Sequence, residues 1–315
     1  MIRQVVIYLT RRCNLRCEYC YIPNITSGEL STNKLCEIVE FVAQKIQPEM
    51  MIFFGGEPFL RQDIGKVVDC ANATGIHYTV ITNGTLKKYE AIKKLKSLTL
   101  SIDLLPWQVS SDTAEIMPEI VRKSEAGFQL LTEVLEFDLP ELVVSTIVTK
   151  YNTCFLPEIV EWMSERGIWT IPGIVHTVRD SDFAFRGNLD LNVTQQQAVW
   201  IANKMLEMKS RGYLIHNVNA YFRNLPKYAD LSWKCSLLDY FIINSNGYLL
   251  ACHDWPGTSF SQLDFFDFIT QEHFDYQELQ ELYSKDVRDC PGCYYNHKLQ
   301  LLYSKREDDV LVHTP

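Results

Sequence analysis

The chain has 315 residues, 47% hydrophobic and 22% charged, a length that allows one large domain or one domain with a smaller appendage. A net charge of −9, with no basic run and no basic stripe interleaved with aromatics, argues against nucleic acid as a partner, because phosphates require concentrated Lys and Arg. No apolar run reaches the roughly 18 residues of a membrane span, and Met1-Ile2-Arg3-Gln4 does not open a signal peptide, so a cytoplasmic protein with no membrane partner is expected.

In chain order, Gln4 to Leu9 is a short apolar, β-branched run and is expected to be a strand. Ser31 to Ile46 carries Leu35, Ile38, Val39, Val42 and Ile46 at helical spacing, with Ser31 or Thr32 as N-cap. Met50 to Phe54 is a buried strand that runs into Gly55-Gly56-Glu57-Pro58. A helix around Asp63 to Ala73, a strand from Ile76 to Thr82, a helix from Leu86 to Leu95 and a strand from Leu98 to Asp103 follow. Thr113 to Leu135 is mainly helical, Leu142 to Thr149 is a strand, Pro157 to Arg166 is a helix and Trp169 to Val175 is a sixth strand.

Six strands alternating with helices imply a parallel sheet with right-handed crossovers, and an open, partial (β/α)6 barrel of the TIM type is its natural closure. In such folds the chemistry sits at the C-terminal ends of the strands. After about Asp190 the rhythm changes. Thr194 to Lys209 is one helix, Trp233 to Trp255 is a hairpin around Ser245-Asn246-Gly247, and Phe260 to Tyr283 is acidic, aromatic and partly helical. The expected α/β organisation is therefore a barrel over 1–190, a helical bridge over 191–232 and a C-terminal unit over 233–315.

The ten cysteines carry the most information, since in a reducing compartment so many thiols are more often ligands or catalysts than disulfides. Cys13, Cys17 and Cys20 lie just past the first strand, and Cys235, Cys252, Cys290 and Cys293 lie near the end. Cys36 and Cys70 fall on helices and are expected to be packed small side chains. Three close thiolates suit an iron–sulfur cluster with one iron left open, or a zinc knuckle, because sulfur sites serve both metals.

Cys13-Asn-Leu-Arg-Cys17-Glu-Tyr-Cys20, with Tyr19 before its last cysteine, resembles the signature of the radical S-adenosylmethionine (SAM) superfamily, and Gly55-Gly56-Glu57 resembles that family's GGE motif. The resemblance implies a 4Fe–4S cluster on Cys13, Cys17 and Cys20, its open iron chelated by SAM, and the SAM ammonium bound at Gly55, Gly56 and Glu57. It also implies SAM contacts from Tyr19, Thr82, Asn83, Ser101, Asp103 and Asn152, although Leu104 stands where relatives often have glycine. The implied reaction takes one electron from a flavodoxin or ferredoxin type reductant, and the 5′-deoxyadenosyl radical so formed abstracts a hydrogen atom from substrate.

Cys235, Gly247 and Cys252, followed by Cys290-Pro-Gly-Cys293, resemble the auxiliary-cluster domain of the SPASM and twitch groups. With no cysteine after Cys293, the shorter twitch version is implied, holding one auxiliary 4Fe–4S cluster closed by four thiolates; structural zinc is the alternative. Such relatives modify ribosomal peptides or oxidise small molecules, so a peptide or small-molecule substrate and a net two-electron oxidation (dehydrogenation or cross-link) are expected. A redox-neutral epimerase is the rival, with Cys154 after strand five as hydrogen-atom donor, and a non-catalytic metal-binding protein is a second. His176, Arg179, Asp180, Asp182 and Arg186 after strand six, and His253-Asp254 after Cys252, are candidates to bind substrate or move a proton.

Overall fold

The computed structural model describes residues 2–20, 22, 28–175, 191–228, 239–251, 263–266 and 275–288. Six strands follow the chain in order as a parallel sheet: β1 (Gln4–Thr10), β2 (Met50–Gly55), β3 (Tyr78–Thr82), β4 (Ser97–Ser101), β5 (Glu141–Val148) and β6 (Trp169–Ile174). The sheet continues past β1 rather than ending there. β7 (Tyr240–Ile243) pairs parallel with β1, and β8 (Leu249–Leu250) turns back antiparallel on it. Gly247, at φ +92°, supplies the left-handed backbone that this hairpin requires.

Strand periodicity divides the sheet into two unlike faces. Val5, Ile7 and Leu9 of β1 pack with Leu35, Ile38 and Val39 of α1 (Thr32–Phe41) and Val67 and Val68 of α2 (Ile64–Thr74), forming the main core. Val6 and Tyr8 face the other way, with Ile52, Tyr240 and Ile242. That second face carries the site. A further apolar cluster joins Val148 and Ile174 to α6 (Leu156–Ser164), α7 (Gln195–Ser210) and α8 (Asn219–Tyr228).

Helix boundaries depart from the periodic pattern where backbone chemistry overrides it. The run to Ile46 leaves α-helical geometry after Phe41, widens into a π-type turn over Val42–Ile46, and stops at Gln47 with φ 51°. Only one turn, α3 (Tyr89–Ile92), forms within Leu86 to Leu95. The Thr113 to Leu135 pattern is two helices, α4 (Ser111–Ile116) and α5 (Pro118–Val134). Met117 sits between them at φ −133° and ψ 56°, because Pro118 disfavours helical backbone in the residue before it. The helix α8 falls within the helical bridge expected over 191–232, and α9 (Tyr276–Val287) is the helical part of the acidic C-terminal stretch.

The placement of Cys36 and Cys70 as separate packed side chains is corrected: they form a disulfide. α1 and α2 pack side by side on the main core, and the two cysteines meet on their partly exposed shoulders with Cα atoms 5.7 Å apart. No helix among the described residues is long and apolar enough to cross a membrane.

Candidate active site

The cysteine loop leaves β1 at Thr10 and is held against the end of β2 by backbone bonds from Gly56 N to Thr10 O and from Glu57 N to Arg12 O, both 2.8 Å. Glycine is obligatory here. A Cβ on Gly55, at φ +129°, would stand 2.1 Å from Thr10 O, and one on Gly56 would stand 2.0 Å from Arg12 O. On the return side, Arg12 forms a forked ion pair with Glu29, whose carboxylate also accepts from Thr10 Oγ1. Arg61 donates to Leu9 O and Leu30 O and pairs with Asp63, tying this return to the start of α2.

Cys13, Cys17 and Cys20 are outside any disulfide and line one cavity together with Tyr19, Gly55, Gly56, Thr82, Asn83 and Ser101. Its other walls are apolar on the β1, β2, β3 and β7 side (Val6, Ile52, Phe54, Ile81, Tyr240) and mixed on the β4 to β6 side, where Ser101, Ser145 and Gly173 alternate with Ile147 and Ile174. Burial pushes all three thiols up, Cys17 to about 12, so each would be held as the neutral thiol until a metal displaces its proton. Among the described residues no three His, Cys, Asp or Glu side chains converge closely enough to hold a single metal ion. Three thiols sharing one cavity are a donor set that fits an iron–sulfur cluster, whose ligands bind different irons.

Glu57 is fully buried behind the cavity wall. Its Oε1 accepts from Phe59 N at 3.0 Å and Thr82 Oγ1 at 2.8 Å, and its Oε2 accepts from Asn83 N at 2.8 Å. Burial raises its pKa to about 7, and the three donors moderate the rise.

Asp103 is also fully buried. It accepts from Tyr19 Oη at 2.7 Å and from Ile147 N at 2.8 Å, and it forms an ion pair with Lys123. Lys123 also donates to Tyr19 Oη, and the residue lines the cavity. Asn152 makes four internal bonds, accepting from Thr149 N and Oγ1 and donating to Asp103 O and Ile147 O, so it braces the β5 turn. Cys154 is free and exposed, and it is not among the cavity-lining residues.

Cys235, Cys252, Cys290, Cys293, His176, Arg179, Asp180, Asp182, Arg186, His253 and Asp254 lie outside the described residues. Sequence reasoning missed Lys123, Ser145 and Tyr240. A signal existed for the first: Lys123 falls in the stripe Ile120, Ser124, Gly127 and Leu131 that α5 buries, and a lysine there needs a partner. Ser145 and Tyr240 gave none, because their exposure to the cavity depends on strand register.

Residues 7–148 match the family model described as the radical SAM superfamily. A curated but uncharacterised protein of Methanocaldococcus jannaschii is 24% identical over 82% of this chain and 87% of its own length. The PqqA peptide cyclase of Bradyrhizobium diazoefficiens is 25% identical over 83% of this chain and 68% of its own. The chain spans less than half the length of several other curated relatives it matches. Among solved structures, Streptococcus suis SuiB bound to its precursor peptide SuiA superposes with a TM-score of 0.66 over 95% of this chain and 76% of that one, at 14% identity, which shows a common fold.

Proposed function

The chain carries a radical SAM domain over residues 7–148, and we propose that it uses a 4Fe–4S cluster on Cys13, Cys17 and Cys20 and a bound SAM to oxidise a ribosomally made peptide. The observation that carries this reading is the set of three half-buried thiols, outside any disulfide, on one cavity, pressed against β2 by a glycine pair with no room for a side chain. When bound, cluster and SAM supply a one-electron cleavage that yields the 5′-deoxyadenosyl radical, the hydrogen-atom abstractor.

The chain's own residues bind, orient and exclude water. Gly55, Gly56, Thr82 and Asn83 form the edge where the methionyl part of SAM would lie, with Glu57 holding that edge together from behind. Tyr19, Ser101 and Lys123 offer polar atoms on the opposite wall, and Asp103 keeps Lys123 in place. The apolar wall of Val6, Ile52, Phe54 and Tyr240 keeps bulk water from the reacting carbon. We read the six βα units as the partial barrel of 1–190, 191–232 as its bridge, and 233–315 as a twitch-type unit in which Cys235, Cys252, Cys290 and Cys293 hold a second 4Fe–4S cluster.

A peptide is proposed on the PqqA peptide cyclase that aligns along 83% of this chain, and the 7,8-dihydro-6-hydroxymethylpterin dimethyltransferase that aligns along 80% keeps a small molecule as the second reading. Oxidation is favoured over epimerisation because Cys154, the thiol in the barrel that could return a hydrogen atom, is exposed and away from the cavity lining. The reading is tested by changing Cys13, Cys17 and Cys20 together to Ala. The variant should retain about four of about eight irons after anaerobic reconstitution and form no deoxyadenosine. Undiminished SAM cleavage would refute it.

A further inference from the structure

We infer that Asn83 donates a hydrogen bond to the Cys13 sulfur and thereby sets how readily a cluster on the triad accepts an electron, an inference that rests on the reading of the triad given above. Asn83 Nδ2 lies 3.8 Å from Cys13 Sγ and 3.1 Å from Asn14 Oδ1. The backbone N–H of Leu15 points at the same sulfur from 3.4 Å.

The orientation of the amide is forced. Asn83 Oδ1 lies 2.9 Å from the backbone nitrogen of Thr85, which can only donate, and it also accepts from Thr85 Oγ1 at 2.6 Å. A flipped amide would set Nδ2 against that N–H, so the oxygen belongs on Thr85 and the NH2 group on Cys13. The backbone is equally constrained. Asn83 N donates to the buried Glu57, and the turn's next residue, Gly84 at φ +77°, lies so close to α5 that a Cβ would stand 2.6 Å from Gly127 Cα. The donor is therefore preorganised, supported on one side by a carboxylate and on the other by a helix.

Uptake of an electron adds negative charge that spreads onto the ligand sulfurs, and an N–H aimed at a sulfur stabilises that charge. Asn83 should accordingly hold the cluster's reduction potential up, easing delivery of the electron on which SAM cleavage depends. Asn83→Asp keeps the size and the acceptor for Thr85 but replaces the donor with a negative charge. Asn83→Ala removes the donor without adding charge.

The test is an anaerobic redox titration followed by electron paramagnetic resonance on the full chain reconstituted with iron and sulfide, before SAM is added. The triad's signal is identified as the one that later changes with SAM. Midpoints should fall in the order wild type, Asn83→Ala, Asn83→Asp, with iron content unchanged. Equal midpoints at equal iron would overturn the inference while leaving the proposed function intact. If the triple Cys→Ala variant loses no iron, the reading of the triad fails first and the inference falls with it. Should the Asn83 variants lose iron, pulsed resonance on wild-type protein carrying 15N-asparagine decides the matter: a resolved coupling to the SAM-responsive signal supports the bond, and none refutes it.

Discussion

Glu57 is a carboxylate held where ionisation is costly. Free in an unfolded chain it titrates near 4.5, and burial moves it to about 7 in the folded protein. Between those values the folded state binds the proton more tightly, so this group's contribution makes stability fall as pH rises through that window, and it levels off above about 7. A shift of that size corresponds to roughly 3 kcal/mol. Glu57→Gln removes the titration. The stability difference between wild type and Glu57→Gln, from urea unfolding at pH 5 and at pH 7.5, should therefore move against the wild type by up to about 3 kcal/mol. A difference that does not change with pH would show that the carboxylate is ionised without penalty. At this scale the Gly-Gly-Glu motif was legible, but the destination of its side chain was not. Sequence offers a carboxylate beside a strand end; only the folded chain brings Thr82 and Asn83 N to meet it.

Two helix contacts carry predictions at the next scale. The Cys36–Cys70 disulfide closes a separation of 34 residues between α1 and α2. Restricting a loop of that size in the unfolded chain stabilises by about 4 kcal/mol in the chain-entropy account, with measured values commonly lower. Cys36→Ser with Cys70→Ser should lower the melting temperature by several degrees. Peptide mapping without reductant should show the linked pair in wild type, and two separately alkylated thiols there would refute the bond. The second contact is Gly84 against Gly127, where α5 crosses the β3 turn. Gly127→Ala must push a methyl group against Ile102 Cγ1 and Ser101 O, both 3.0 Å away, so α5 must shift and take Lys123 with it. A loss of about 1–3 kcal/mol is expected from overpacking, with SAM affinity reduced in calorimetry. Unchanged affinity at reduced stability would separate Lys123 from the SAM site. Neither contact was visible in the periodic pattern, which reports the face a helix buries and is silent on which residue of a neighbouring element meets it.

For the molecule as a whole, the proposed function has its consequence in how a substrate radical would be quenched. If Cys235, Cys252, Cys290 and Cys293 close an auxiliary cluster, no iron there is open to substrate, and its useful role is to accept an electron. Oxidation then removes two hydrogens, so the product should weigh about two mass units less than the substrate, whereas epimerisation leaves mass unchanged and draws deuterium from D2O. Mass spectrometry of the product formed in D2O distinguishes them. A product of unchanged mass that carries deuterium, and that is lost in Cys154→Ala, would reverse the assignment.

What the amino-acid sequence determined alone is what depends on neighbours in the chain. The cysteine spacing, the glycine pair, the six alternating βα units and the Asn-Gly hairpin all follow from local geometry, and the fold places Cys13, Cys17, Cys20, Gly55, Gly56, Thr82, Asn83 and Ser101 on one cavity. The tertiary structure decided what depends on register and on crossing helices. The addition of β7 to the edge of β1 brings Tyr240 into the wall, and the Cys36–Cys70 bond pairs residues far apart in the chain. The burial of Lys123 against Asp103 and Tyr19 likewise depends on α5 crossing the strand ends. A strand's alternation is the same whichever neighbour it takes, and a helix's stripe is the same whatever it covers. Partners are chosen only when the elements close on one another.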